Sequence, residues 1–472
     1  MTEPAYDAVV VGAGPNGLAA AITLASAGKS VLVIEGSDRP GGGCRTDELT
    51  LPGFRHDVCS TIQSMAASSP FLASLPLDRL GYEEVRPQVA LAHALDGGRA
   101  VALHQSADTT AAGLGRDGPA YRRLMGPLQR QSSALFSEFL GPLRPPRHPV
   151  AMARFGVRAL WPAPVLARRV FRTEEARALF AGLSAHGIQP LTNPLTSAFG
   201  LMLALSVHAS GWPVARGGSE NLTLALLRHL ESLGGEVRSG QPVASLDELP
   251  SAHAVLLDLT PRQVLAVAGD RLAGSYRDAL GRYRYGPGVF KLDWALDAPI
   301  PWSADVCRQA GTVHLGGPLE EVVASEAASS KAAKRPFVIL VQATICDPTR
   351  APQDKHTAWA YCHVPNGSTE DMTDAIEAQV ERFAPGFRSR VLARHASSPA
   401  AMQAYNPNYI GGDINGGIQD WRQLFTRPVA QVLPYATPDR ALYICSSSTP
   451  PGGGVHGMCG HWAARTALAR AF

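Results

Sequence analysis

An α/β fold of the Rossmann type, a parallel sheet flanked by helices, is predicted by three observations. The chain opens on Asp7-Ala8-Val9-Val10-Val11-Gly12-Ala13-Gly14-Pro15-Asn16-Gly17, an Ala-rich stretch and Ser30-Val31-Leu32-Val33-Ile34-Glu35. That is a strand, a glycine turn, a helix and a second strand closing on a carboxylate, the signature of a site for the ADP half of a dinucleotide. The chain ends on a similar succession: Arg440 to Ser447 as a strand, a Gly-rich loop to Gly460, then a helix to Ala471. Between them, strand-like stretches at 288–296, 336–344 and around 359–364 predict a second sheet, separate from the parallel one.

Each piece of the first unit has a physical task. Gly12 permits the tight turn after the strand, Gly14 lets backbone amides approach a pyrophosphate, and Gly17 lets the helix lie close on the strand. Pro15 and Asn16 belong to the same turn. The helix predicted from Gly17 to Ala27 presents its N-terminal amides and positive dipole end to the phosphates, and Gly28 stops it. Glu35 follows Gly17 by eighteen residues, close to the spacing at which an acid accepts hydrogen bonds from the adenosine ribose; its charge disfavours a 2′-phosphate. A second match to the glycine pattern, Gly113 to Gly118, follows Ala-Asp-Thr-Thr-Ala-Ala rather than a strand and is not read as a nucleotide site.

Further along, Arg39-Pro40-Gly41-Gly42-Gly43-Cys44-Arg45 forms a glycine turn and Leu51 to Asp57 redirects the chain. Residues 71–210 are mixed and largely helical in pattern, carry no nucleotide motif with its context, and read as an insertion that builds a substrate chamber. A glycine turn at Gly211 to Ser219 opens a helix over Glu220 to Leu233, and short strands are expected at 236–238 and 242–246. Ala254 to Leu259 reads as a buried strand and Asp374 to Phe383 as a helix. Residues 1–70, 211–285 and 405–472 are therefore assigned to a discontinuous nucleotide domain, and 71–210 with 286–404 to a substrate domain.

Composition sets bounds. The 472 residues are 45% hydrophobic and 18% charged, enough for a full core and too ordered a balance for a disordered chain. Met1-Thr2-Glu3-Pro4 lacks the positive region of a signal peptide, and the longest apolar run, Phe199 to Val207, is too short to span a bilayer. Seven cysteines without a CxxC suggest neither a disulfide framework nor a zinc site, no metal is expected, and a cytoplasmic location is the expectation. A net charge of +3 gives no reason to expect nucleic acid. Between Leu140 and Thr173, however, stand seven arginines and no acid, interleaved with Met152, Phe155, Leu160, Trp161 and Phe171. The segment reads either as a solvated helical face broken by Pro162 and Pro164 or as a surface for peripheral contact with an anionic membrane.

Together, the GxGxxG unit with its acid, the Arg-x-Gly-Gly turn and the C-terminal strand, Gly-rich loop and helix resemble the FAD-binding framework of glutathione-reductase-type flavoproteins. Within that group the phrases Gly211-Trp212-Pro213 to Gly217-Gly218-Ser219, Asn408 to Ile414 and Pro451 to Gly457 are similar to the phytoene desaturase-like branch, which includes a pyridine-nucleotide-disulfide-oxidoreductase-domain relative. The resemblance implies FAD held by Gly12, Gly14, Pro15, Asn16, Gly17 and Glu35 at the ADP end, and by Gly42, Gly43 and Arg45 along the pyrophosphate and ribityl chain. It implies that the Val243 backbone meets adenine, and that Ser446 with Gly453, Gly454, Val455 and His456 lies over the flavin, with Ser446 standing where relatives usually carry glycine. No second complete nucleotide unit is present, so electrons are expected to leave to oxygen, a quinone or another diffusible acceptor.

Taking two hydrogens from carbon needs a hydride acceptor and a group to manage a proton. Lys291, one of five lysines, lies in Val289-Phe290-Lys291-Leu292-Asp293-Trp294, where alternation puts it on one face with Val289 and Asp293. It resembles the lysine of flavin amine oxidases that holds a water near the flavin; the other reading is a snorkelling surface lysine. His456 either moves a proton beside the ring or caps its turn, and Asp413 is either a base on a flexed loop or a turn carboxylate. His186, His208 and Trp212 are candidates for the chamber wall. The expected activity is desaturation of a C–C bond in an apolar or amphipathic molecule. The alternatives are amine-oxidase-like C–N oxidation, flavin-dependent isomerisation, and FAD binding without turnover.

Overall fold

The computed structural model describes residues 5–328 and 331–472; Met1 to Pro4, weighed above as a leader, lies outside the described residues. In chain order the longer strands are β1 (Tyr6–Val11), β2 (Val31–Ile34), β3 (Val89–Leu95), β4 (Arg99–Leu103), β5 (Glu236–Arg238) and β6 (Ala252–Leu257). They continue with β7 (Gly288–Leu296), β8 (Ala310–Leu315), β9 (Val338–Val341), β10 (His356–Val364), β11 (Val391–Ser397) and β12 (Leu442–Ile444). The helices that matter below are α1 (Pro15–Ala25), α2 (Pro149–Ala159), α3 (Glu174–Ala185), α4 (Thr196–Ser210), α5 (Glu220–Ser232), α6 (Leu319–Glu326), α7 (Thr373–Phe383) and α8 (Met458–Arg470).

β12, β6, β1, β2 and β5 form a sheet in that order with every pair parallel, Val10 standing opposite both Val33 and Leu256. The carboxyl-terminal halves of β1 and β6, and all of β2 and β12, are buried apolar runs because helices and a second apolar cluster cover both faces, whereas the edge strand β5 is polar and largely exposed. On one face α1 and α8 lie together; on the other Val11, Val255, Leu257, Leu442 and Ile444 meet Val264 and Tyr276. Three distant chain segments thus interleave in one sheet. The strand expected at 242–246 does not form. Pro242 has no N–H to donate to a ladder, and the Ser245 hydroxyl accepts from the Asp247 amide to start a short 3-10 turn at Leu246–Glu248.

The second sheet runs β11-β7-β10-β9-β8-β3-β4, antiparallel except where β8 meets β3. Residues 71–210 therefore contribute a hairpin, β3–β4, as well as helices. β7 alternates as its sequence requires: Phe290, Leu292, Trp294 and Leu296 enter a core with Ile376, Val380 and Phe383 of α7. The opposite face carries a cross-strand row, His93, His314, Ile339, Tyr361 and Lys291, and beside it Thr312, Val341, Trp359 and Asp293. That second face looks into the space beneath the parallel sheet's carboxyl ends. Among the described residues no helix is long and apolar enough to cross a membrane.

Candidate functional site

One cavity of about 690 Å³ runs from the carboxyl ends of β1 and β2 to the inner face of the second sheet. Its first half is built by the glycine turns. Gly12 has φ +100°, a conformation open to glycine, and a Cβ on Gly17 would collide with the carbonyl oxygen of Gly12, so the helix can begin this close only without side chains. No side chain caps α1 at Gly14, and Pro15 occupies its first position. Gly42, at φ +53°, packs beside Gly14, while the Tyr405 hydroxyl donates to the Gly42 carbonyl at 2.7 Å.

Glu35 ends β2 on the cavity wall. Its Oε2 accepts from the Ala13 amide at 2.7 Å and its Oε1 from the Ser37 amide at 2.9 Å, and Arg45 reaches it at 3.5 Å. Gly12, Gly14, Pro15, Asn16, Gly42, Gly43, Val243, Ser446, Gly454 and Val455 share this wall with Glu35 and Arg45. Gly17 and Gly453 stand behind it, where their bare Cα atoms let backbone approach: Gly453 lies against Asn415. The buried atoms Asn16 Oδ1 and Arg45 Nε have no protein partner among the described residues. An acid for ribose hydroxyls, a free helix start and an unpaired guanidinium nitrogen suit a dinucleotide with its pyrophosphate on α1.

Sequence reasoning missed Asp258, which follows β6. Its Oδ2 accepts from the Gly17 amide at 2.9 Å, and burial, with the charge of Glu35 adding, raises its carboxyl to about 7. Asn408 anchors this corner by donating to the Asp258 carbonyl and accepting from the Thr260 amide, each at 2.9 Å. An acid directly after a buried strand was the available signal.

The second half of the cavity is apolar. Ile62, Met65, Ile188, Leu203, Trp212, Ile339, Val341, Trp359 and Tyr361 line it, with Thr61, His186 and Thr312 as polar insertions. The Trp212 and Trp359 indoles are fixed by donating to Thr312 Oγ1 and Thr61 Oγ1, both at 2.8 Å. Trp359 stacks on Tyr361 at 5.7 Å between centroids. The charged lining residues, Glu35, Arg45 and Asp258, all belong to the dinucleotide half.

The three residues expected to carry proton chemistry lie behind the wall. Lys291 shares the chamber face of β7 but is buried; its Nζ donates to both Asp293 oxygens at 2.5 and 2.6 Å and to the Asp57 carbonyl at 3.1 Å, and Trp359 stands 5.2 Å from it on the cavity side. Neither a surface lysine nor a lysine open to the chamber describes it. Asp413 accepts from the amides of Gly286, Asn415 and Gly417 at 2.7 to 2.9 Å, which makes it the carboxylate that shapes its loop. His456 accepts from the Met458 amide through Nδ1 at 3.0 Å and reaches the Gly452 carbonyl through Nε2 at 3.2 Å. Both ring nitrogens are spent on the turn, which leaves no lone pair to take a proton from a substrate, and burial lowers the imidazole to about 4. His208 is similarly engaged, by Tyr121 at 2.6 Å and the Gln105 carbonyl at 3.0 Å.

Behind Lys291 lies a buried ion network that the sequence did not disclose. Arg350 joins Asp57 at 3.0 Å and Asp347 at 2.8 Å. Asp57 accepts from the Ser219 amide and Asp347 from the Gly217 amide, so the Gly217-Gly218-Ser219 turn is clamped to both carboxylates that Arg350 joins.

Comparison with known proteins agrees with this geometry. The model of the NAD(P)-binding Rossmann-like domain matches residues 10–72. Pyridine nucleotide-disulfide oxidoreductase domain-containing protein 2 of Mus musculus is 26% identical, covering 98% of this chain and 93% of its own. Phytoene desaturase (lycopene-forming) of Paracoccus sp. is 23% identical, covering 97% and 95%. An oxidoreductase from Methanosarcina mazei superposes with TM-score 0.67 at 16% identity, covering 98% of this chain and 99% of that one; a putrescine oxidase variant does so with 0.62 at 20%, covering 98% of each. The chain is thus an oxidoreductase, similar along nearly its whole length to pyridine nucleotide-disulfide oxidoreductase domain-containing protein 2 and to a phytoene desaturase.

Proposed function

We propose that this enzyme binds FAD along the cavity and desaturates a C–C bond of an uncharged, apolar or amphipathic small molecule. The observation that carries the reading is the division of the cavity: every charged lining residue lies at the dinucleotide end, and the chamber beyond is walled by aromatic and aliphatic side chains. A cationic amine would find no carboxylate there, and Lys291 is sequestered by Asp293. The homology to a phytoene desaturase along nearly the whole chain supports the same class of substrate.

FAD would supply the hydride-accepting ring. Glu35 would receive the adenosine ribose, the start of α1 and Arg45 the pyrophosphate, and Val243 the adenine, while Ser446, Gly454 and Val455 would bring the start of α8 to the ring's edge. Trp212, Trp359 and Tyr361 would seat the substrate, exclude water and offer their π-faces to positive charge developing on carbon. Electrons would pass on to oxygen or a quinone.

Absorption spectra of the purified enzyme test this reading. A flavin spectrum that bleaches under anaerobic mixing with a terpenoid such as limonene or retinol, and not with putrescine, is expected. Bleaching by amines alone would replace the reading with C–N oxidation, and a colourless protein that FAD cannot reconstitute would refute it.

A further inference from the structure

The chamber contains one ionisable imidazole among the described residues, His186, at the C-terminal end of α3. Its Nε2 faces His314 Nε2 at 2.9 Å, and among the described residues its Nδ1 has no partner. His314 pairs in register with His93 on the neighbouring strand, and both rings are fully buried. His93 Nε2 lies 2.8 Å from the Gly317 carbonyl. A carbonyl only accepts, so that nitrogen carries the proton and His93 Nδ1 presents a lone pair. His93 Nδ1 and His314 Nδ1 are both buried without a partner, and both face Gly182, 2.7 and 2.5 Å from where a Cβ on it would stand. The missing side chain on α3 is therefore what admits the two rings. His93 and His314 pack on Phe337, with ring centroids 6.5 and 5.3 Å away, but their unpaired buried nitrogens are costly.

We propose that His186 is the proton acceptor of the chamber and that His314 is the positioning residue that holds it. The inference rests on the desaturation reading. Hydride leaves one carbon for the bound flavin; the C–H electron pair of the adjacent carbon closes the double bond, and its proton passes to His186 Nδ1. The Nε2–H of the protonated His186 donates to His314 Nε2, and the proton leaves from His186 Nδ1 through the chamber that it lines once the product departs. A weak base suffices, because a C–H next to an electron-poor carbon is strongly acidic. Burial and the charge of His363 lower His186 to about 3, which keeps it neutral and ready to accept. His363, paired with Glu326 Oε2 at 2.8 Å, is the other titratable pair near it; Tyr361 and Ile339 are the neighbours on the sheet. The unpartnered Glu326 Oε1 supplies negative charge on the same side.

Two measurements on the flavin-loaded enzyme test the pair. In the first, His186→Gln should keep the flavin spectrum while slowing terpenoid-driven bleaching by about 100-fold, and His314→Leu by about 10-fold. Rates equal to the parent's would overturn the assignment. The second needs no substrate: deuterium exchange at imidazole C2, read by mass spectrometry across pH. The His186 profile should shift in His314→Leu while that of exposed His148 stays fixed; an unmoved His186 profile would sink the positioning role of His314. If no terpenoid bleaches the parent, the desaturation reading fails alone and the exchange profiles still decide whether the histidines are coupled.

Discussion

Glu35 divides its two carboxylate oxygens between the amides of Ala13 and Ser37, so one side chain both shapes the glycine turn and faces the cavity. Glu35→Ala would leave the Ala13 N–H buried without a partner, a loss of about 1–3 kcal/mol by thermal denaturation, and should weaken cofactor binding by about tenfold, read from the fluorescence of released flavin. Asp258 acts through pH. Its folded carboxyl, raised to about 7, lies above the unfolded value of about 4, so the stability it contributes below pH 4 is lost as pH rises to about 7. Asp258→Asn keeps an acceptor for the Gly17 amide and removes the charge. The melting temperatures of variant and parent should coincide near pH 4 and separate by a few degrees in favour of the variant by pH 7 and above; the opposite trend would contradict the assignment.

Among the elements, α1 and α8 depend on glycine for their contact. A Cβ on Gly460 would collide with the Asn16 carbonyl, whereas one on Gly28, at φ +77°, meets nothing within 4 Å. Gly460→Ala should abolish cofactor retention and destabilise the fold by several kcal/mol, while Gly28→Ala should cost about 1 kcal/mol and keep the cofactor, as measured by melting and absorbance. Local patterns of this kind were legible in the sequence: the glycine turns, the acid at position 35, and the alternation that puts Lys291 and Asp293 on one face of β7. The β3–β4 hairpin carried its own signal, Asp96-Gly97-Gly98 with both glycines at positive φ, inside a stretch read as mostly helical. What the sequence withheld is long-range pairing. Alternation says that Lys291 shares a face with Asp293 but not which way that face looks, nor that Asp293 and the Asp57 carbonyl will hold it. The Arg350–Asp57 pair joins residues almost three hundred positions apart, and of the two roles read for His456 its contacts are those of the turn cap, because both nitrogens meet local backbone.

For the molecule as a whole, interleaving three chain segments in the parallel sheet places the N-terminal fingerprint, Asp258 and the C-terminal turn around one cavity, and the mixed sheet supplies its far wall. On the outside, α2 exposes Val150 and Val157, each 66% accessible, with Leu160 just beyond it and Arg154 and Arg158 alongside. We propose that this arginine-rich surface rests on anionic membranes, where apolar substrates collect. The enzyme should sediment with phosphatidylglycerol vesicles and not with neutral ones, and Val157→Glu or 1 M salt, where the Debye length is about 3 Å, should release it. The central claim is an uncharged chamber that removes hydrogen from carbon. Its most direct measurement is mass analysis of the product from one anaerobic turnover with limonene, retinol or phytoene: a molecule lighter by two hydrogens, in amount equal to the flavin bleached, is expected. Bleached flavin with an unaltered terpenoid, or turnover confined to amines, would contradict the account.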